Sequence, residues 1–361
     1  MYFCGSILNN KNKMSAFDNF DPNSVGLKDN NIFGLPTTEE NASLIIIPAP
    51  WEVTVSYRAG TSRGPEQIME ASLQIDLYDP DGIDAWKKGY YLLPVDKNIK
   101  KKSDYLRSCS ELIISALSEG APIDCNNQLC QKLKEVNEGG HIFKEWIKNL
   151  TLEYIEKGKT VVMVGGDHST PLGYIQALAT KHKDFGILQI DAHADLRIAY
   201  EGFTYSHASI MYNVLEEVPE VTKLVQVGIR DYCDEELSII NNNKRVQTFF
   251  DKDIKERLYE GDTWKAIVTD IVDSLPQKVY LSFDIDGLDP KLCPNTGTPV
   301  PGGFEVEQIF YLFKKLKESK REVIGFDLNE VSSGEHTHDC IDPLVGARVL
   351  YKMCNILMSQ Q

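Results

Sequence analysis

No stretch of this 361-residue chain approaches the roughly 20 consecutive apolar residues that a membrane-crossing helix needs, so no membrane span is expected. Positive charge is scarce as well. Against 53 Asp and Glu stand 38 Lys and Arg, a formal net charge of −15. Nucleic acid and anionic membrane both demand a basic face, and neither is expected as a partner. Cys-x-x-Cys pairs are missing: Cys4, Cys109, Cys125, Cys130, Cys233, Cys293, Cys340 and Cys354 are scattered. In a chain of this size they read as reduced thiols rather than a disulfide framework. The apolar start of the chain has no basic segment before it, and Asn9-Asn10-Lys11 interrupts it too early for a signal peptide. Met14-Ser15 reads as an alternative start, and the expected location is cytoplasmic. No Pro/Gly/Ser-rich linker divides the chain. One domain over 44–361 is therefore expected, preceded by an irregular arm over 1–43 that is rich in Asn, Asp and Gly.

Aspartate, by contrast, is concentrated where apolar runs end. Val161-Val162-Met163-Val164 leads into Gly165-Gly166-Asp167-His168-Ser169. Gly186-Ile187-Leu188-Gln189-Ile190 leads into Asp191-Ala192-His193-Ala194-Asp195. Val279-Tyr280-Leu281-Ser282-Phe283 leads into Asp284-Ile285-Asp286-Gly287-Leu288-Asp289-Pro290. Short runs of this kind read as buried parallel strands. In an open α/β sheet the carboxyl ends of the strands form the ligand crevice, so His168, Asp191, His193, Asp195, Asp284 and Asp286 are expected to converge there.

Unpaired carboxylates repel one another, and burying each one costs several kcal/mol. Divalent cations remove that cost. Asp191, His193 and Asp195 alternate, as do Asp284 and Asp286, so each set faces one side of an extended segment. Imidazole with many carboxylate oxygens suits Mn²⁺ and, less selectively, Ni²⁺, Zn²⁺ or Fe²⁺. The donor set is too large for one open catalytic zinc and suits two ions bridged by shared carboxylates. Helix-capping loop carboxylates are the competing explanation. Asp-x-His alone does not decide against it; the three clusters together do.

With these motifs, Gly-Gly-Asp-His-Ser at 165–169, Asp-Ala-His-Ala-Asp at 191–195 and Ser-Phe-Asp-Ile-Asp-Gly-Leu-Asp-Pro at 282–290, the chain resembles the arginase/agmatinase family, the ureohydrolases. The resemblance implies an α/β fold, a three-layer α/β/α sandwich on a mainly parallel sheet, with a two-manganese centre at its carboxyl edge. It implies one ion on His168, Asp191, Asp195 and Asp284, and another on Asp191, His193, Asp284 and Asp286. Glu330, after the strand 323–327, matches the family's guanidinium-binding glutamate. His207 matches a histidine that shuttles protons or contacts substrate, and Asp195 passes a proton to the leaving nitrogen. The family's active-site loop after the first strand makes Trp51, Thr54 and Tyr57 candidate pocket residues. Urea and an amine, or ammonia from guanidine itself, are the implied products, and trimers or hexamers the implied assembly.

Substrate choice turns on Arg197. Arginases place an asparagine there to read an amino-acid head, so the resemblance points to a small guanidino compound, agmatine or guanidine, rather than arginine. Asp-Leu-Arg at 195–197 is also similar to formimidoylglutamases, which makes formimidoylglutamate the alternative. Outside the family, a two-metal phosphoesterase would show Gly-Asn-His-Asp/Glu or Gly-His-x-His elements, which are missing. A non-catalytic metal-binding protein would have lost ligands or Glu330, which are present.

Elsewhere the first strand is expected at 44–48 and a helix from Gly64-Pro65-Glu66. Residues 76–140 read as a polar insertion without strong strands, helical near 103–117. An amphipathic helix is expected over 141–157, with His141 at its start as a surface residue. Ser169 or Thr170 is expected to cap a helix with Pro171 in its first turn, and His182 to suit that helix's C-terminal dipole. Arg230 is expected to support the site, a helix to span 306–317, and the run Glu335-His336-Thr337-His338-Asp339 to be a solvated loop.

Overall fold

The apolar runs alternate poorly because their strands are covered on both faces. The computed structural model describes residues 17–123, 127–334 and 341–361. Met14, Cys4, Cys125, Cys340 and the run from Glu335 to Asp339 lie outside the described residues. Eight strands form one sheet in which every pairing is parallel. In chain order they are β1 Leu44–Pro48, β2 Tyr90–Leu92, β3 Thr160–Val164, β4 Phe185–Ile190, β5 Val221–Ile229, β6 Val246–Phe250, β7 Lys278–Asp284 and β8 Glu322–Asn329. Across the sheet the order is β2-β1-β3-β8-β7-β4-β5-β6.

Helices cover both faces: α1 Gly64–Ser72, α2 Lys97–Ser118, α3 Asn127–Glu156, α4 Leu172–Ala179, α5 Ile210–Glu217, α6 Asp234–Asn242, α7 Asp251–Tyr259, α8 Trp264–Asp273, α9 Val306–Glu318 and α10 Ile341–Met358. The two-residue period of each strand divides its side chains between two cores. Leu44, Ile46 and Val162 pack with Ile68 of α1, Ile271 of α8, Phe313 of α9 and Met353 of α10. Ile45, Ile47 and Met163 pack with Leu106 of α2, Phe143 of α3, Ile175 of α4 and Met211 of α5. The result is the expected three-layer α/β/α sandwich. Among the described residues no helix is long and apolar enough to cross a membrane.

Sheet order places the functional edge. β8 and β7 lie between β3 and β4, so the carboxyl ends of β3, β8, β7 and β4 are neighbours. At about 4.8 Å between adjacent strands, side chains from all four can meet.

Residues 76–140, read from sequence as a polar insertion without strong strands, contain a three-residue strand. Tyr90–Leu92 joins the sheet edge as β2, in parallel register with Leu44–Ile46. Three residues are too few to stand out in sequence. α2 begins at Lys97, where the Asp96 carboxylate accepts from the backbone N–H groups of Asn98 and Ile99. α3 is one helix from residue 127, longer than the helix over 141–157 that amphipathic spacing predicts, and it runs through Gly139-Gly140, glycines that ordinarily weaken a helix. Those glycines serve close packing instead: a Cβ on Gly139 would stand 2.2 Å from a Leu106 methyl, and one on Gly140 2.9 Å from the Tyr205 Cβ.

Two smaller expectations also change. Pro171 is the N-cap of α4 and no side chain caps that helix; the Thr170 hydroxyl donates to Asn329 Oδ1 at 2.8 Å instead. His182 does not carry the cation for the helix end, because burial and then Lys278 hold its imidazole below the ordinary value. Residues 17–43 contain a short 3-10 turn, Ile32–Gly34, and Ile32, Phe33 and Leu35 are buried in the first core.

The contact between α3 and α4 gives a direct test of this packing. A Cβ on Gly173 would stand 2.0 Å from the Lys144 carbonyl oxygen, a backbone atom that cannot swing aside. Gly173→Ala is expected to cost about 3 kcal/mol through overpacking. Gly120, at φ +80° with nothing within 4 Å of a new Cβ, should lose about 1 kcal/mol as Gly120→Ala from left-handed strain alone. Denaturant unfolding midpoints of the two variants measure the difference, and equal shifts would contradict the packing argument.

Candidate metal centre

Four adjacent strands each end in polar side chains, and local backbone contacts aim them. At the end of β3 the chain passes very close to the loop after β1. The Asp167 N–H donates to the Trp51 carbonyl at 2.8 Å, and a Cβ on Gly166 would stand 1.8 Å from that same oxygen. Only glycine fits there, and the next side chain but one is His168. At the end of β4, Asp191 Oδ1 accepts from the His193 N–H at 2.7 Å. Past β7, Asp284 Oδ1 accepts from the Asp286 N–H at 2.9 Å, and Asp286 Oδ1 from the Ala192 N–H at 3.0 Å.

The remaining carboxylate oxygens converge on the imidazoles. His168 Nδ1 lies 2.9 Å from Asp191 Oδ2, 3.0 Å from Asp195 Oδ2 and 3.3 Å from Asp284 Oδ2. His193 Nδ1 lies 3.0 Å from Asp286 Oδ2 and 3.6 Å from Asp191 Oδ1. Two donor groups result, His168 with Asp191 and Asp284, and His193 with Asp191 and Asp286. All the side chains of the expected ligand set are therefore together.

These donors fit divalent cations. His168 Nδ1 is buried without a hydrogen-bond partner, although carboxylate oxygens surround it. Burial and the neighbouring Asp191 push the Asp195 carboxyl up to about 7. Burial, Asp286 and Asp191 hold Asp284 well above the usual carboxylate range. Asp191 moves the other way: burial opposes its charge, but hydrogen bonds from His168 and His193 outweigh it. Burial likewise opposes charge on both imidazoles, and the carboxylates overcome it. In the ion-free cluster, protons thus neutralise oxygens that divalent ions would neutralise better.

Sequence reading missed a second ring of support. His168 Nε2 lies 2.9 Å from Ser282 Oγ, and Ser282 donates to Asp327 Oδ1 at 3.1 Å. Tyr280 and Asn329 also donate to Asp327. Gln189 Nε2 donates to Asp191 Oδ2 at 2.8 Å, Gln226 Nε2 to Gln189 Oε1 at 2.7 Å, and Thr248 to Gln226 Oε1 at 2.8 Å. Such outer contacts fix ligand orientation. The available signal was a lone polar residue inside an apolar strand: Gln189, Gln226 and Ser282 are each fully buried. Arg230 Nη2 donates to the Asp286 carbonyl at 2.6 Å and the Val300 carbonyl at 3.0 Å, tying together the loops around the third motif.

Glu330 follows β8. Its Oε1 accepts from the His168 N–H at 2.9 Å, while Oε2 is buried without a partner. A Cβ on Gly297 would stand 2.9 Å from that oxygen, so any side chain there would crowd it. Burial and then Asp167 hold the Glu330 carboxyl well above the usual range. Glu330 and Asp195 have φ of 63° and 54°, a backbone strain of about 1–3 kcal/mol each that the surrounding structure must hold.

A cavity of about 250 Å³ opens beside the cluster, lined among others by His193, Asp195, His207, Arg197, Tyr57, Tyr200, Tyr232, Asp231 and Glu236. Burial, then His193 and His168, push the His207 imidazole down to about 3. The Arg197 guanidinium sits 4.8 Å from the Tyr200 ring centroid and its Nε 3.8 Å from Glu236 Oε2. Of the three loop residues expected in the pocket, Tyr57 lines the cavity and is 67% exposed. Trp51 does not: its ring stacks on Phe143 at 4.4 Å, turned towards α3. Thr54 is 2% exposed and directs its hydroxyl at His207 rather than into the cavity. His141 is exposed, 6.4 Å from the Tyr205 ring.

The family described as the Arginase family matches residues 42–355. The chain is 30% identical over 308 residues to N(1)-aminopropylagmatine ureohydrolase of Thermus thermophilus, covering 85% of this chain and 89% of that one. It is 29% identical over 302 residues to the N(1)-aminopropylagmatine ureohydrolase of Synechocystis sp., covering 82% and 83%. Among solved structures, agmatine ureohydrolase of Thermoplasma volcanium has a TM-score of 0.66 at 22% identity, over 90% of this chain and 92% of that one. At that identity the likeness concerns the fold.

Two divalent ions per chain are expected at saturation, read by elemental analysis after reconstitution; one ion would contradict the shared-carboxylate arrangement. Asp195 and Asp284, and the His168 and His193 imidazoles, all hold protons more tightly than usual and must lose them to act as ligands, so affinity should fall as pH drops. Titration calorimetry in buffers of different ionisation enthalpy should show the released protons. Asp191→Ala removes the carboxylate common to both donor groups and should abolish binding of both ions, whereas Asp286→Ala should spare the one at His168.

Proposed function

The chain belongs to the arginase family, and on that premise we propose that it hydrolyses a C–N bond of a small guanidino substrate, of agmatine or guanidine type, releasing urea and an amine or ammonia. The carrying observation is Glu330: a buried carboxylate with one unpartnered oxygen, joined through the His168 N–H to the metal-ligand cluster. Relatives named aminopropylagmatine ureohydrolase support a guanidino substrate.

One ion would be held by His168, Asp191, Asp195 and Asp284, the other by Asp191, His193, Asp284 and Asp286. Mn²⁺ suits imidazole and carboxylate donors best, with Ni²⁺ second. Such ions supply Lewis acidity that ionises water near neutral pH. Glu330 pairs with the planar guanidinium through charge-assisted hydrogen bonds and fixes its orientation. Asp195 moves a proton to the leaving nitrogen. His207, kept neutral by burial, contacts the substrate in the cavity instead of carrying a charge.

At about 250 Å³ the cavity is smaller than the roughly 300–1,000 Å³ of typical ligand pockets, and tyrosines wall it. A short substrate fits this space. The exposed Asp231 carboxylate on its lining suits an ammonium tail, as in agmatine. Arg197 also lines it and favours formimidoylglutamate as the second reading, though Glu236 and Tyr200 already engage that guanidinium. Trimers or hexamers form part of the proposal; exposed Tyr78, Ile83 and Tyr259 are apolar surface that a second copy would cover. Free thiols at Cys109, Cys130, Cys233, Cys293 and Cys354 support a reducing, cytoplasmic setting.

Urea release from guanidine, agmatine, 4-guanidinobutyrate and L-arginine, with formamide release from formimidoylglutamate, tests the reading. Agmatine or guanidine should give the highest kcat/KM; arginine in first place would overturn the substrate assignment. Glu330→Gln should lower kcat by about 10²–10³-fold with metal content retained.

A further inference from the structure

Thr54 sits in a loop that α2 holds by its backbone. Ser103, Arg107 and Ser110 lie on one face of that helix, spaced four and three residues apart. Ser103 Oγ accepts from the Glu52 N–H at 3.1 Å. Ser110 donates to the Val53 carbonyl and Arg107 to the Val55 carbonyl. The backbone on either side of Thr54 is therefore pinned, and its side chain is buried.

The Thr54 hydroxyl meets His207 twice. Oγ1 accepts from the His207 N–H at 3.2 Å and lies 3.4 Å from His207 Nδ1. Ser206 repeats the pattern: its Oγ accepts from the Ala208 N–H at 3.2 Å and lies 3.5 Å from the same Nδ1. Each hydroxyl has one hydrogen to donate, and a buried hydroxyl that donates to nothing is costly. For both, the acceptor within reach is His207 Nδ1. Donation from either hydroxyl requires the Nδ1 lone pair, which places the ring proton on Nε2.

We propose that Thr54, held by α2 and assisted by Ser206, is a positioning residue that fixes His207 as the Nε2–H tautomer. His207 then offers the cavity a hydrogen-bond donor and not a general base. The bearing on catalysis rests on the hydrolase reading above; the tautomer does not.

The test uses the full chain labelled with ¹⁵N-histidine and loaded with diamagnetic zinc, with His207→Asn to identify the resonance. Wild type should show His207 with a protonated Nε2 and an unprotonated Nδ1. Thr54→Val combined with Ser206→Ala removes both donors and should let the Nδ1–H form appear. In the same variant kcat for urea release should fall about 10- to 100-fold, with KM changing much less. Thr54→Ser should restore the tautomer and most of the rate. A wild-type ring protonated at Nδ1, or a double variant with unaltered tautomer or unaltered kcat, would overturn the proposal. The wild-type spectrum decides even if the double variant does not fold. A chain that releases no urea from any guanidino compound would refute the hydrolase reading and leave the spectra to judge the tautomer.

Discussion

Buried carboxylates crowded at one sheet edge repel one another, and the arrangement of this site follows from containing that repulsion. Asp191, Asp195, Asp284 and Asp286 are nearly inaccessible to water, where uncompensated charge costs several kcal/mol per group. Compensation comes first from His168 and His193, then from backbone N–H groups aimed at one oxygen of Asp191, Asp284 and Asp286. Divalent ions would complete it. Because the oxygens must converge without collapsing onto one another, each carboxylate needs a fixed direction, and a rigid parallel sheet supplies it.

Around the ligands, the same constraint spreads outward as a hydrogen-bond lattice inside the sheet. Gln189 holds Asp191, Gln226 holds Gln189, and Thr248 holds Gln226, a line crossing β4, β5 and β6. On the other side Ser282 links His168 to Asp327. Such buried polar groups are tolerable because they satisfy one another. They also restrict rotation of the ligands, which is what a bridged pair of ions requires.

The substrate side is built differently, from loops under tension. Glu330 and Asp195 take left-handed backbone, and the loop after β1 is gripped by α2 on one side and by the Gly166-Asp167 backbone on the other. A helix that reads as peripheral in sequence therefore reaches His207, on the cavity lining, through Thr54. The cavity between these loops joins the Asp195 carboxylate to aromatic walls and an acidic rim at Asp231 and Glu236, a combination suited to a small cation.

The convergence of His168, Asp191, His193, Asp195, Asp284 and Asp286 was legible in the sequence because its information is local. A two-residue period places Asp191, His193 and Asp195 on one side of an extended segment, and apolar runs broken by Gly and Asp mark strand ends. The three-layer class followed from the resemblance those motifs carry. The tertiary structure alone decided that β7 and β8 enter between β3 and β4, which brings Glu330 and Ser282 to His168 from more than a hundred residues away. It decided that Trp51 turns to Phe143 while Thr54 turns to His207, and that Gly139-Gly140 continues a helix instead of ending one. Each of these depends on which distant backbone lies alongside, and the residues concerned carry no local periodicity that would announce the neighbour.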